Sequence, residues 1–267
     1  MSELTGYLDV WFNAVDDFVG VLEALPDSAW QLPTDLPGWD VHAVVAHVAH
    51  LESLLAGGEH EEVPVPEAPH VRNPMGTFTE QGVVARRGLT PAELIGEIRA
   101  STSARHAALL ADPPSDPDAP APGVFGALGW STRTLLRNRP LDVWMHGQDV
   151  RRAVGLQGGM DLPVAAHVTD VLLEALPVVV AKRAGLPPGT SVVVEVRGHA
   201  PVAAEVGADG RGSLLSEVPA EPTVRLRLDR EAYTRLSAGR SRPEGGVEMS
   251  GDADLGMRLL ESMAITP

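Results

Sequence analysis

The chain has 267 residues, a formal net charge of −15 and a sequence pI near 4.9. So acidic a surface repels phosphate backbones and anionic headgroups, which argues against nucleic acid or a membrane as the main partner. The absence of cysteine excludes disulfides, thiolate metal ligands and a protein-borne cysteine nucleophile together, leaving His, Asp and Glu to hold any metal. Hydrophobic residues make up 44% and aromatics only 4%, so the core must be mostly Leu, Val and Ala. No apolar run approaches the roughly 18 residues that span a bilayer. The start, Met-Ser-Glu-Leu-Thr-Gly, lacks the basic and apolar regions of a signal peptide. The expectation is a cytoplasmic protein.

In chain order, Leu8, Trp11, Phe12, Val15, Phe18, Val19, Leu22 and Leu25 recur mostly three and four apart, which predicts a helix over residues 5–25. A turn-rich connector, Leu32 to Gly38, leads to a second helix over 39–56 that ends at Gly57-Gly58. Residues 58–77 lack periodicity and read as a long loop, a lid or binding loop rather than a plain connector. Thr90-Pro91-Ala-Glu93 caps a third helix running to about Ala111. After the Pro/Asp-rich stretch Asp112–Gly123, a fourth helix runs from Trp130 to near Gly155. Pro140 within it marks either a kink or a restart. Four long helices with such links read as an all-α up-down four-helix bundle.

Beyond Gly158-Gly159 the pattern changes. Residues 163–184 read as helical, 191–196, 202–206 and 223–228 as strands, 229–237 as a helix, 246–250 as a strand and 252–263 as a final helix. This divides the chain into an N-terminal domain over 1–157 and a smaller α+β C-terminal domain over 158–267.

Chemistry concentrates in Arg139–Ala153. Asp142 and His146 lie four residues apart, which on a helix stacks a carboxylate and an imidazole on one face about 6 Å apart. Such a pair can grip one divalent cation, and His47 on the second helix offers a third ligand, leaving an open position. His47 lies in the apolar run Val-Val-Ala-His-Val-Ala-His, where an uncompensated imidazole is costly to bury. Read alone, an Asp-x-x-x-His pair is more often a salt bridge than a metal site.

Pro37-Gly38-Trp39-Asp-Val-His-Ala-Val-Val-Ala46-His47 resembles the "pGWtvrdvvaH" signature of the DinB/YfiT-like metalloenzyme superfamily, in particular of the mycothiol-dependent maleylpyruvate isomerase family of actinobacteria. Arg139–Ala153 resembles that family's "RxxExWxHgqDvrrA" segment. Leu236-Ser-Ala-Gly239-Arg240 and Gly251-Asp252-Ala-Asp-Leu-Gly through Ile265-Thr-Pro267 are similar to its C-terminal domain. The resemblance implies a DinB-like metal-binding bundle, a sterol-carrier-like C-terminal domain that closes a cleft, and the metal ligands His47, Asp142 and His146. The family's usual carboxylate is Glu; Asp here shortens the reach by about one methylene, so the helix must sit closer or a water must intervene. Two imidazoles, a carboxylate and an open position suit Zn²⁺.

The chemistry so implied is addition of mycothiol, a low-molecular-weight thiol activated by the metal, to a small maleylpyruvate-like electrophile. Rotation and thiol loss make an isomerase; release of the adduct makes an S-transferase. The alternatives are a non-catalytic metabolite-binding protein of the same fold and a metal-dependent hydrolase using water in place of thiol. A monomer or a homodimer fits either.

Among other residues, Arg240 could hold a substrate carboxylate bidentately and Gln148 could hydrogen-bond substrate. Asp149 is read equally as acceptor for an imidazole N–H and as a salt-bridge partner of Arg152. Arg139 reads first as a packing residue that can pair with Asp142. His42 and His50 read as core-edge or solvated, with His50 an alternative ligand. His60, His70, His106, His167 and His199 read as ordinary, and Glu59–Glu62 as a solvated acidic loop rather than a second metal site.

Overall fold

The computed structural model describes residues 3–266 and forms two compact units, Met1–Gly159 and Met160–Pro267. Met1 and Ser2 of the N-terminal reading, and Pro267 of the C-terminal similarity, lie outside the described residues.

The first unit is helical. Four long helices, α1 (Glu3–Glu23), α2 (Val41–Leu55), α4 (Pro91–Ala111) and α6 (Thr132–Ala153), pack against one another. α3 (Pro74–Ala85) lies against α2, and a short α5 (Gly123–Ala127) precedes α6. α1 turns Leu8, Trp11, Val15, Phe18 and Leu22 inward, the 3.6-residue stripe read in the sequence. α2 is apolar on nearly every face and correspondingly buried from Val41 to Glu52, apart from the half-buried His42. Its start is set by Asp40, whose carboxylate accepts the Ala43 N–H at 2.8 Å. α4 opens with Thr90 as the expected N-cap, and the structure adds Glu93 to complete a capping box. α6 is one continuous helix with Pro140 inside it, so the missing N–H removes one rung without ending the helix.

The long loop is shorter than the sequence suggested, because α3 begins at Pro74 with Asn73 as its cap. The apolar pattern of α3 is broken by Gly76, Thr77, Thr79 and Gly82, so its periodicity carried little signal. Its glycine has a structural use. A Cβ on Gly82 would lie 2.0 Å from the His50 Nδ1, so α3 approaches α2 over that imidazole only because residue 82 has no side chain.

The second unit is built on a five-stranded sheet in the order β3-β2-β1-β4-β5. Its strands are β1 (Ser191–Val196), β2 (Val202–Val206), β3 (Gly212–Leu214), β4 (Val224–Leu228) and β5 (Val247–Gly251). β1 pairs parallel with β4, placing Val194 opposite Leu226; the other pairings are antiparallel. β4 alternates cleanly, with Val224, Leu226 and Leu228 turned inward and Arg225 and Arg227 outward onto Glu195 of β1.

The helical stretch read over 163–184 is instead α7 (Pro163–Leu173), a turn at α8 (Leu176–Val178) and a π-turn over Val179–Arg183. Pro177 accounts for part of that break. α9 (Arg230–Ser237) packs on α7, and α10 (Ala253–Glu261) covers β4 and β5. No single helix among the described residues is long and apolar enough to cross a membrane. The bent pair Pro163–Leu173 and Leu176–Arg183 passes that test only by length and composition. Its apolar residues Val164, Val168, Leu172, Leu176 and Val180 are buried.

Candidate metal centre

α2 and α6 bring His47, Asp142 and His146 together. One ligand atom from each lies within 4.8 Å of the others. The Asp142 Oδ1 is 3.6 Å from the His47 Nε2 and 3.7 Å from the His146 Nε2. A tetrahedral ion with bonds of about 2.0–2.2 Å would hold its donors about 3.4 Å apart, so the three groups need close only slightly around a shared ion. The imidazole rings meet edge-on, 4.8 Å between centroids at 75°. The side chains of His47 and His146 are 8% and 10% exposed and that of Asp142 is 28%, so solvent reaches the cluster from the carboxylate side.

Two of the three donors, Asp142 and His146, are held from behind by a partner, whereas the His47 Nδ1 is buried without one. Arg139, one turn before Asp142, donates to the Asp142 Oδ2 at 2.9 Å, leaving Oδ1 facing the imidazoles. The Asp149 Oδ2 lies 3.2 Å from the His146 Nδ1. That carboxylate accepts the Nδ1–H, so the Nε2 lone pair points at the site. Burial pushes the His47 imidazole below its ordinary pKa, with Asp142 only partly offsetting it, so His47 stays in the neutral, ligating form. Burial alone would raise the Asp142 carboxyl, but Arg139 and the two imidazoles outweigh it and hold it well below the usual carboxylate range. Two imidazole nitrogens facing an ionised carboxylate are the donor set a borderline divalent cation takes.

Behind the donors lies a charge network absent from the sequence reading. Glu52 is fully buried and accepts from Arg139 at 2.6 and 3.1 Å, from Arg105 at 3.3 Å and from the Trp11 indole at 3.1 Å. The Arg105 guanidinium also sits 4.5 Å over the Trp11 ring. Arg139 is thus clamped between Glu52 of α2 and Asp142 of α6, and acts on the site rather than only packing. The available signal was a lone carboxylate in the apolar run of α2, which cannot be buried unpaired.

Trp39 stands against both imidazoles, 5.2 Å from His47 and 6.3 Å from His146, and donates its Nε1–H to Glu80 at 2.8 Å. Glu80, buried on α3, is 3.2 Å from the His70 Nε2, so His70 is a partnered residue of the loop rather than an idle one. That ring occupies the space a Cβ on Gly38 would fill, and Gly38 has φ +86.

Asp149 takes both roles read for it, facing His146 and accepting from Arg152 at 2.5 Å. Gln148 is buried and donates to the Gly158 carbonyl at 3.3 Å. Arg240 follows α9 in the second unit, where it donates to the Ala238 carbonyl at 2.7 Å. His42 bonds the Leu89 carbonyl, and His106 stacks on Phe12 at 4.0 Å.

A family model of the mycothiol maleylpyruvate isomerase N-terminal domain matches residues 11–151, and one of the corresponding C-terminal domain matches 163–258. The chain belongs to the mycothiol-dependent maleylpyruvate isomerase family. Two uncharacterised proteins of Mycobacterium tuberculosis, from strains CDC 1551 and H37Rv, are each 27% identical over 143 residues, 53% of this chain and 53% of theirs. The chain therefore matches about half the length of those relatives. Crystal structures of the mycothiol-dependent maleylpyruvate isomerase and of a histidine-to-alanine mutant of it are similar, with a TM-score of 0.58 over 93% of each chain. At 18% and 17% identity they bear on the fold. The family's N-terminal match spans α2 and α6, the helices that carry His47, Asp142 and His146.

Proposed function

We propose that this protein is a metal- and mycothiol-dependent enzyme that adds the thiol to a small, maleylpyruvate-like electrophile and either isomerises it or releases the S-conjugate. The observation that carries the reading is the convergence of two imidazoles and an ionised carboxylate, from α2 and α6, at distances one cation can bridge. In this reading the helical unit is a DinB-like four-helix bundle and the second unit a sterol-carrier-like domain. The protein works in the cytoplasm, as a monomer or homodimer.

His47, Asp142 and His146 would hold the cation, Zn²⁺ being the one that suits them best. When bound, it supplies Lewis acidity that lowers the pKa of an incoming thiol. The chain's own residues do the positioning. Arg139 keeps Asp142 anionic and turned so that Oδ1 faces the site. Asp149 fixes the His146 tautomer and ring angle. Trp39, tethered by Glu80, gives the site an apolar wall that limits water beside the imidazoles.

The thiol sulfur then forms a C–S bond to the electron-poor alkene carbon and the π electrons move onto the conjugated carbonyl. After rotation about the new single bond, the electrons held on the carbonyl return to re-form the alkene and expel the same sulfur as thiolate, leaving the trans alkene with no net gain or loss of a proton. No protein nucleophile is consumed, in keeping with the absence of cysteine. Arg240 is proposed as partner of the substrate carboxylate by its planar fork, and Gln148 as a polar substrate contact.

The test is maleylpyruvate conversion with and without mycothiol, in wild type and His47→Ala, alongside metal analysis. Thiol-dependent turnover in the wild type, lost with the ion in His47→Ala, is the expected result. Equal turnover without any thiol would refute the thiol mechanism.

A further inference from the structure

Three residues that the centre does not use are gathered one turn further along α2. His50 is fully buried, while His60 and Glu61 come from the loop between α2 and α3. The His50 Nε2 is 3.1 Å from the His60 Nδ1 and 3.8 Å from the Glu61 Oε2, and one donor atom of each lies within 4.8 Å of the others. None of the three belongs to the His47 cluster. In the sequence His50 reads as core-edge or solvated, with a ligand role as the alternative, His60 as ordinary and Glu61 as part of a solvated acidic loop; the fold of the loop over α2 joins them.

We propose that His50, His60 and Glu61 form a second site for a borderline divalent cation of the Zn²⁺, Co²⁺ or Ni²⁺ class, fastening the loop to α2. Two nitrogens and one oxygen favour these ions over Mg²⁺ or Ca²⁺, which prefer all-oxygen shells. The donor spacing brackets the roughly 3.4 Å that tetrahedral coordination requires.

Both imidazoles are also fixed in place, His60 by a hydrogen bond and His50, whose Nδ1 is buried without a partner, by packing alone. The His60 Nε2 lies 3.0 Å from the Gln81 Oε1, which can only accept, so the proton sits on Nε2 and the Nδ1 lone pair faces His50. The His60 ring is stacked on Phe78 at 4.1 Å and 17°. His50 is wedged under the bare backbone of Gly82. Burial, with Arg86 nearby, pushes its pKa down to about 4, so it is neutral at physiological pH.

The cation facing this cluster is Arg86, which reaches Glu61 at 3.0 Å. Arg86 has a separate partner in Glu97, bonded at 2.6, 2.9 and 3.1 Å, so Glu61 can turn to an ion without leaving a buried guanidinium unpaired. His60 and Glu61 are half-buried, which leaves the far side of the cluster open for water to complete the shell.

The experiment is Co²⁺ titration of chelator-stripped protein, read by visible absorption and by metal content after desalting, in wild type, His47→Ala, His60→Ala and the double variant. The expected counts are two, one, one and none. In addition, Co²⁺ should slow cleavage of the 58–67 loop by a glutamate-specific protease in the wild type but not in His60→Ala. Glu61→Gln should weaken the second equivalent at least tenfold. Equal Co²⁺ counts in wild type and His60→Ala would overturn the proposal, as would a loop whose cleavage ignores the metal. The comparison rests on the surface-loop variant, so it holds even if His47→Ala does not fold. It is also independent of the enzymatic reading: a wild-type count retained in His47→Ala but reduced in His60→Ala would remove the first site and leave the second.

Discussion

The helical unit buries Glu52, Glu80, Arg86, Arg105, Arg139 and Asp149 beside three histidines, whereas the buried polar residues described in the sheet unit are Thr169, Thr190, Thr234 and Ser237. A buried hydroxyl is satisfied by one backbone carbonyl, as the Thr169 hydroxyl is by Ala165 at 2.7 Å. A buried charge is costly unless its partners are arranged around it. In the ion pairs described for the sheet unit the carboxylate stays at least partly exposed, as Glu195 does in its ladder with Arg225 and Arg227 and Asp170 does beside His199. A unit that holds charge inside, at distances set by two rigid helices, is the one equipped to position a metal.

The largest expected effect is on that interior. Glu52→Ala strands two buried guanidinium groups and should cost about 3–5 kcal/mol. All five tryptophans lie in the helical unit, so their fluorescence follows it alone. The fluorescence-detected Tm should fall by about 10 °C. A change of only a degree would mean the network is not sustaining the helices.

Acid should separate the two units next. The pKa values of His47 and His50 are below the ordinary 6.5 in the folded protein, that of His50 at about 4. Below pH 6.5 the unfolded chain takes up protons that the folded chain refuses, so metal-free helical stability is full above 6.5 and declines from there toward 4. In the sheet unit, Arg227 and Arg225 hold the Glu195 carboxyl below 4.5, so its contribution is lost only as pH falls beneath that value. Tryptophan-detected Tm should therefore drop by several degrees between pH 7 and 5. A flat profile over that range would contradict the buried neutral imidazoles.

Gly82→Ala tests the close approach of α3 to α2. With a Cβ 2.0 Å from the His50 ring, the backbone must shift, at about 1–3 kcal/mol despite the better helix propensity of Ala. Unchanged or raised thermal stability would show that the two helices are not in contact there. The smallest effect belongs to the exterior ladder: Glu195→Gln should move Tm by about 2 °C or less. A larger fall would erase the distinction between the two units.

The sequence reading works best where one element carries its own signal. The stripes of α1 and α2, the Thr90 cap and the alternation of β4 are each local, and the structure has them at those places. Asp142 and His146 share a helix face by spacing alone, and His47 stood out because an imidazole in an apolar run needs a reason. What could not be read depends on chain segments meeting. Glu52 meets Arg139 across 87 residues, and His60 meets His50 only because the loop folds back. α3 is not legible because two glycines and two threonines dilute its stripe, and one of those residues, Gly82, is what lets it lie close to α2. The break after α7 is not legible in the sequence because Pro177 sits in a run that is otherwise apolar and helix-compatible.

The most direct test of the convergence of His47, Asp142 and His146 is the number of divalent ions retained per chain by the wild type and by Asp142→Ala, measured by elemental analysis after exhaustive desalting. One equivalent should disappear in the variant, together with all thiol-dependent turnover. An unchanged count in a folded Asp142→Ala protein would mean that the three groups do not share an ion.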